Sequence, residues 1–263
     1  MKVSKILATR MARRYNQQGL TLIELLVVLV ILIALAGILI PQLPNMLTRA
    51  HTAAASTNIP EANKRIQEFE QIYFKQPAGY DNLVNGVALV AYLPGDETTY
   101  LNPAALSTVA DSADALNAAG ITAVAPLVAA AGLGGAVTPT FNPYSGANVA
   151  VADATVVAFV PEADAELLLR PDAGANDSYV AFGIGQRSEL IGRTTNEAPY
   201  HFGDAAGTGP DTNYARYLAV YKVANDGTAL NKAIFIGVLA AHDDGLANAS
   251  GHVSEFFETN SEL

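Results

Sequence analysis

The most constraining feature of this sequence is an apolar run from Leu20 to Ile40, close to the amino terminus. Thr21 and Glu24 are its only clearly polar members. As an α-helix at about 1.5 Å per residue the run is roughly 31 Å long, which matches the hydrocarbon thickness of a bilayer. A core helix of a soluble protein keeps a polar stripe, and this run has none after Glu24. The sequence therefore predicts a membrane-spanning helix.

Charge is distributed unevenly along the 263 residues. Residues 1–19 carry five basic side chains and no acidic one, although the whole chain has a formal net charge of −10. Because the basic flank of a membrane segment stays in the cytoplasm, the chain beyond Ile40 is predicted to lie on the periplasmic side of the inner membrane. The acidic balance argues against nucleic-acid binding, which needs a basic surface.

Three interpretations of the apolar run remain open at this point. It can be a plain single-pass anchor. It can be an ordinary secretory signal, since Ala34-Leu35-Ala36 fits the small-x-small rule for cleavage. The third interpretation rests on Gly19, which stands at the boundary between the charged leader and the apolar run.

Glu24 distinguishes these interpretations. A carboxylate near one end of a membrane segment costs on the order of 2–3 kcal/mol, and a plain anchor or signal gains nothing from it. If the chain is cut after Gly19, Leu20 acquires a free α-amino group four residues before Glu24. Between staggered copies this cation and the carboxylate can neutralise each other in apolar surroundings. The pattern therefore predicts self-assembly through the helix.

The leader, Gly19 and the sequence Leu20-Thr21-Leu22-Ile23-Glu24 together resemble the amino terminus of type IV pilins and type II secretion pseudopilins. The resemblance covers about residues 10–45. It implies cleavage between Gly19 and Leu20 by a prepilin peptidase and N-methylation of Leu20. It also implies that Glu24 recruits each subunit into a filament, and that Pro41 is the helix-loosening proline of these proteins. Leu20 departs from the phenylalanine that is most common after the cut.

The sequence divides into three predicted parts: a basic leader at 1–19, a helical stem at 20–75 that includes the membrane segment 20–40, and a globular domain at 76–263. Within the stem, Asn58, Pro60 and Glu61 are typical of the start of a helix. The stem is therefore expected to be one kinked helix or two helices that meet near Thr57. Apolar residues recur at helical spacing, and Ile66, Phe69 and Tyr73 are expected to pack on the protein's own sheet.

The globular domain is predicted to be α+β, with the long N-terminal helix packed on an antiparallel sheet and a loop-rich α/β insertion over 76–174. The sequence Asn225-Asp226-Gly227 between two apolar runs predicts a β-hairpin. The other predicted elements are a helix from Asn102 to Gly120 and strands within 121–128, 154–160, 178–184, 215–223 and 233–241.

The residues that could carry chemistry form no recognisable catalytic motif. The chain has no cysteine, which excludes thiolate metal sites and a cysteine nucleophile. Gly132-Leu133-Gly134-Gly135 lacks the Lys-Ser/Thr of a phosphate loop, and it is interpreted as a turn. The four histidines are scattered, and His242-Asp243-Asp244 is interpreted as a solvated turn and not as a metal site. Calcium bound by loop oxygens within 204–213 or 243–248 is the one cofactor kept as an alternative.

These observations predict a structural protein and not an enzyme. The expected function is that of a subunit of a type IV pilus-like or type II secretion pseudopilus filament. Its expected partners are copies of itself, related pilin-like subunits, prepilin peptidase and the inner membrane, where the precursor waits as a single-pass protein. The alternative is a membrane-anchored or secreted binding domain that does not polymerise.

Overall fold

The computed structural model describes residues 21–40, 43–94, 100–128, 143–169, 176–201, 213–242 and 245–251. The α-helices in these ranges are α1 (Leu22–Leu39), α2 (Leu43–Tyr73), α3 (Ser112–Ala119) and α4 (Glu162–Leu169). The strands are β1 (Tyr80–Asn82), β2 (Val84–Asn85), β3 (Ala88–Leu89), β4 (Asn102–Ala105), β5 (Ala123–Pro126), β6 (Val149–Ala150), β7 (Val156–Val160), β8 (Ser178–Gly183), β9 (Leu218–Asn225), β10 (Thr228–His242) and β11 (Gly245–Ala247). The chain divides into two compact units between Leu47 and Thr48.

Helix α1 confirms the helix predicted over the apolar run. It begins after Thr21 and ends at Leu39, with Ile40 as its last cap. Every residue from Thr21 to Ile40 is exposed. With a mean hydropathy of 3.2 it is long and apolar enough to cross a membrane.

Helix α2 is a single helix that runs through Pro60, so the alternative of two helices that meet near Thr57, with a start at Asn58, was wrong. Pro60 lies on the exposed side of the helix. On the opposite side Ile59, Ile66 and Phe69 are buried, and this continuous apolar stripe holds the helix together despite the missing N–H of the proline. Tyr73 is 41% exposed, so the expectation that it is a core residue was also wrong.

The second unit is built on a nine-stranded sheet. Its strands follow the order β11-β10-β9-β8-β1-β5-β6, while β7 pairs with β8 and carries β4 on its other edge. All of these pairs are antiparallel except β1 with β5. The α+β class is thereby confirmed. The region 76–174, which was expected to be an insertion, supplies β1 and β4 to β7 of this same sheet.

The hairpin between β9 and β10 is confirmed. Asp226 and Gly227 both have positive φ angles, 49° and 73°. This is the geometry of a type I′ turn, whose twist suits a two-residue hairpin and which glycine and aspartate tolerate well. The sequence signal therefore placed the turn at the correct residues.

The predicted helix from Asn102 to Gly120 was wrong over its first half. Residues 102–105 form β4, which pairs with β7 so that Asn102 lies opposite Phe159 and Ala105 opposite Val156. The helix α3 begins only at Ser112 and ends, as expected, at Gly120, whose φ of 110° forms the cap. Pairing with a buried strand outweighed the helix propensity of the alanines. Helix α4, which follows Pro161, was not predicted.

Each face of the sheet carries a hydrophobic core. On one face Ile66 and Phe69 of α2 cluster with Leu116 of α3 and with Phe182 and Tyr221 of the sheet. The core on the other face contains Leu83, Tyr179 and Leu218, and Leu168 and Leu169 of α4 pack against it.

Candidate functional site

Of the four predicted site residues, the structure describes Glu24. Gly19, Leu20 and Pro41 lie outside the described residues. Glu24 lies in the first turn of α1, at the end of the helix that adjoins the predicted cleavage position.

The carboxylate of Glu24 forms a reciprocal cap with Thr21. Glu24 Oε2 accepts the backbone N–H of Thr21 at 2.8 Å and its hydroxyl at 3.0 Å. In return, Thr21 Oγ1 accepts the backbone N–H of Glu24 at 3.3 Å. This capping box satisfies N–H groups that have no partner within a helix, and the negative charge at this end suits the helix dipole. The start of α1 is thus fixed by its own side chains.

The geometry leaves part of this carboxylate available. Both bonds from Thr21 end on Oε2, and within the described part of the chain no hydrogen bond ends on Oε1. An ionised carboxylate has about four acceptor positions, so a further donor can bind without breaking the cap. Glu24 can therefore stabilise its own helix and accept a second group at the same time.

Thr21 is the functional residue that the sequence reasoning missed. The signal was present, because Thr21-Leu22-Ile23-Glu24 has the Thr-x-x-Glu spacing of a capping box directly before an apolar run. The sequence reasoning gave Glu24 one role, pairing with the amino terminus of a neighbouring copy. The structure adds a role within one molecule.

Comparison with known families identifies the same segment. The model of the family described as "prokaryotic N-terminal methylation motif" matches residues 14–40. Together with the apolar helix, this match fits the signal of type IV pilins and pseudopilins, and the α+β fold is consistent with a pilin-like fold. Comparisons with curated proteins and with solved structures give no significant match.

The motif supports a pilin-like or pseudopilin subunit that is processed by prepilin peptidase. It marks a structural class of protein and not an enzyme family. The combination of a prepilin-type signal with an apolar helix at the amino terminus indicates membrane anchoring.

The residues proposed for calcium lie mainly outside the described part of the chain. This holds for 204–212, for Asp243 and for Asp244, so the structure gives no geometry for either calcium loop. His242 is described and is 4% exposed, and its ring stacks on that of His201 with the centroids 5.1 Å apart. The interpretation of His242 as part of a solvated turn was therefore wrong, because it ends strand β10 inside the protein.

A second acidic group lies at the start of α4. Carboxylate oxygens of Glu162, Glu166 and Asp177 lie within 4.8 Å of one another. Lys222 forms an ion pair with Asp177 in this cluster, and both side chains are largely buried. Burial opposes ionisation of Asp177, but the bonds from Lys222 and from the backbone N–H of Asp226 outweigh it and lower its pKa. The Lys222 ammonium thus neutralises the Asp177 carboxylate, which also accepts the backbone N–H of Asp226 in the hairpin turn.

A third group surrounds Asp81, which has no exposed surface. Tyr214 donates its hydroxyl to Asp81 Oδ2 at 2.7 Å. Burial raises the pKa of Asp81 to about 6, against the effect of the Tyr214 bond and of the positive charge of Arg216. Strand β8 makes room for this pair with glycine, because a Cβ on Gly183 would lie 1.7 Å from the Tyr214 hydroxyl.

Proposed function

We propose that this chain is the structural subunit of a type IV pilus-like or pseudopilus filament, cleaved between Gly19 and Leu20 and N-methylated on Leu20. One observation carries the proposal. The methylation motif at 14–40 includes α1, a helix whose side chains are all exposed and, except for the Glu24 carboxylate in its first turn, all apolar. Such a helix needs lipid, or other copies of itself, to cover it.

Assembly moves α1 from the bilayer into a core of neighbouring α1 helices. Lipid tails and aliphatic side chains have similar polarity, so the hydrophobic effect changes little in this step. Direction and register must therefore come from specific polar contacts. Glu24 is the group available for this, since its Oε1 can accept the new amine of Leu20 from a neighbouring copy.

The remaining parts follow from this arrangement. The basic leader keeps the precursor's amino terminus in the cytoplasm, and the acidic domain is exported to the periplasm and then covers the filament. Pro41 has no N–H for a helical hydrogen bond, and its proposed role is to loosen the stem during assembly. Copies of the chain and related pilin-like subunits are the partners, and prepilin peptidase removes the leader.

A crossed pair of substitutions tests the role of Glu24. Glu24→Gln keeps a side chain that can complete the capping box but removes the charge. Thr21→Val keeps the charge but removes the capping hydroxyl, which costs about 1 kcal/mol at the helix start. We expect the Gln variant to insert and be cleaved but to form no filaments, and the Val variant to assemble. Filament yield by electron microscopy and cleavage by mass measure the two outcomes.

Two results would contradict the proposal. Normal filaments from Glu24→Gln would show that no charge pairing is needed. A loss of filaments from Thr21→Val as large as that from Glu24→Gln would show that the charge of Glu24 is not sufficient and that assembly also needs the capping hydroxyl. If the wild-type chain is anchored or secreted and never polymerises, the alternative of a binding domain is correct.

A further inference from the structure

The second unit, Thr48–Leu263, is the acidic globular domain, and its charges are strongly unequal. The proposed cleavage after Gly19 removes five basic residues and no acidic one, so the formal net charge of the chain passes from −10 to −15. Between Lys75 and Arg170 the sequence contains neither lysine nor arginine, although this stretch supplies β1 to β7, α3 and α4. A long part of the domain therefore carries acidic charge alone.

Every described lysine and arginine side chain of this domain is already engaged within its own molecule. Six of them form ion pairs with aspartate or glutamate, namely Lys64, Arg65, Lys75, Arg193, Lys222 and Lys232. Arg187 donates to the carbonyl of Gly146 and lies over the ring of Tyr144, 4.1 Å from its centroid. Arg216 donates to the carbonyl of Ala198 at 3.2 Å. The described cations are thus matched to groups of their own domain.

The described carboxylates outnumber these cations. Seven of them form no ion pair with a described lysine or arginine, namely Asp111, Asp114, Asp153, Glu162, Asp164, Glu166 and Glu197. Asp111, Asp114, Asp153 and Glu197 are exposed, so water and dissolved ions reach them. A surface with unmatched charge of one sign repels an identical surface. Two copies of this domain therefore repel each other when they approach.

Assembly through α1 forces these acidic domains together. Packed helices lie about 8–10 Å apart. The second unit begins at Thr48, nine residues after the end of α1 at Leu39, and nine residues span at most about 30 Å. A domain of this size has a radius of gyration of about 17 Å. Domains tethered so closely to packed helices come into contact with their neighbours.

Dissolved salt determines how far the repulsion between the domains extends. The Debye length is about 30 Å at 0.01 M ionic strength and about 8 Å at 0.15 M. Repulsion therefore spans a whole domain at the lower ionic strength and only the meeting surfaces at the higher one. The proposed pair of Glu24 with the amine of Leu20 lies in an apolar core, where salt screens charges much less. Added salt should thus weaken the repulsion and leave the contact between helices intact.

We infer that ionic strength controls the assembly of this chain, because dissolved cations must screen the acidic domains before the α1 helices of neighbouring copies can pack together. The inference rests on the proposed filament function and adds a regulation of that assembly. It concerns the charge of the whole domain and needs no cation-binding site. The sign of the effect is distinctive, because salt would weaken an assembly that is held by exposed ion pairs between domains.

Assembly of the mature chain on removal of detergent tests the inference. We expect the yield of sedimentable filament to be at least about tenfold higher at about 0.5 M sodium chloride than at about 0.01 M. Choline chloride should act as sodium chloride does at equal ionic strength, because screening depends on charge and not on the identity of the cation. A yield that is constant or falls with salt would overturn the inference. Assembly that needs calcium and ignores sodium chloride would also overturn it, because it would show a specific cation site.

A charge variant separates this screening from the general effect of salt on apolar surfaces. Asp111→Asn, Asp114→Asn and Asp153→Asn together change the net charge of the mature chain from −15 to −12. Asparagine suits position 111, where φ is 63° and the side chain makes no capping bond, so the Tm should stay near that of wild type. We expect half-maximal yield at about two thirds of the salt concentration that wild type needs, because repulsion scales with the product of the two charges.

The matched control is the double variant Lys64→Gln with Glu68→Gln. It removes a solvent-facing ion pair and leaves the net charge unchanged, so it should assemble with the salt dependence of wild type. The inference is wrong if the triple variant also keeps the wild-type salt dependence. A wild-type chain that forms no filament at any ionic strength, in cells or after purification, would instead overturn the proposed function itself.

Discussion

Helices α1 and α2 follow one another in the chain, yet their apolar side chains have opposite surroundings. In α1 every residue is exposed, including bulky ones such as Leu22 and Ile33. In α2 the apolar residues form one stripe, and Ile66 and Phe69 have no exposed surface. The apolar stripe of α2 is buried by the core of its own domain. Helix α1 is apolar on all sides after Glu24 and long enough to cross a membrane, so no single stripe of its sequence is reserved for a core.

The largest expected effect that separates the two helices comes from truncating one apolar residue in each. Phe69→Ala removes a fully buried ring from the core, and we expect it to lower the free energy of unfolding by about 3–5 kcal/mol. Leu29→Ala in α1 removes a side chain that touches no core, and unfolding of the domain should not change. Guanidinium unfolding of the mature chain in detergent, followed by the near-UV circular dichroism of tyrosine, measures both. Equal losses of unfolding free energy in Phe69→Ala and Leu29→Ala would show that α1 packs in the core as α2 does.

A smaller effect is expected on the pH dependence of unfolding, in which the carboxylates of Asp81 and Glu24 should differ. Burial raises the pKa of Asp81 to about 6, so the folded domain binds this proton more tightly than the unfolded chain does. The free energy of unfolding should therefore contain a component that falls as the pH rises from about 4 to about 6, by roughly 2–3 kcal/mol in total. Asp81→Asn should remove that component and stabilise the domain at pH 7.

The matched control for Asp81→Asn is Glu24→Gln, a carboxylate in the first turn of α1. It should leave the pH dependence of unfolding as it is in wild type, because Glu24 contacts only its own helix start among the described residues. If Asp81→Asn keeps the wild-type slope between pH 4 and pH 6, the buried carboxyl is not its source.

The smallest effect is expected on the stability of α2 when Pro60 is replaced. Pro60 lacks the N–H that would bond to the Ser56 carbonyl, and the buried stripe compensates for this loss. Pro60→Ala should therefore stabilise the domain by about 1–2 kcal/mol. Gln67→Ala, at another exposed position of the same helix, should change stability by less than about 0.5 kcal/mol. A destabilised Pro60→Ala variant would mean that the proline supports the helix.

The sequence predicted best where a local signal acts alone. The apolar run, the Asn225-Asp226-Gly227 turn and the end of α3 at Gly120 all depend on neighbouring residues, and the structure has them as expected. It failed at β4, where alanines with helical propensity pair with β7, about fifty residues later in the chain. It also failed at Pro60, because the buried stripe that overrides a proline comes from contacts with the sheet.

The candidate site shows the same limit. The methylation signal can be read locally, and so could the Thr21–Glu24 cap. The groove between α2 and residues 195–201 could not, because His51 and Arg65 meet His201 and Tyr217 only after the chain has folded. The burial of Asp81 is likewise a property of the whole sheet. Local spacing carries no information on either.

The central claim is that cleavage after Gly19 creates the positively charged end that Glu24 accepts from a neighbouring copy. Intact mass and N-terminal sequencing of the chain purified from membranes test it most directly. We expect a chain that begins with N-methylated Leu20 and is about 2 kDa lighter than the precursor, for a leader of 19 residues. A chain that still begins at Met1, or one that begins at Gly37 after the Ala34-Leu35-Ala36 sequence, would contradict it.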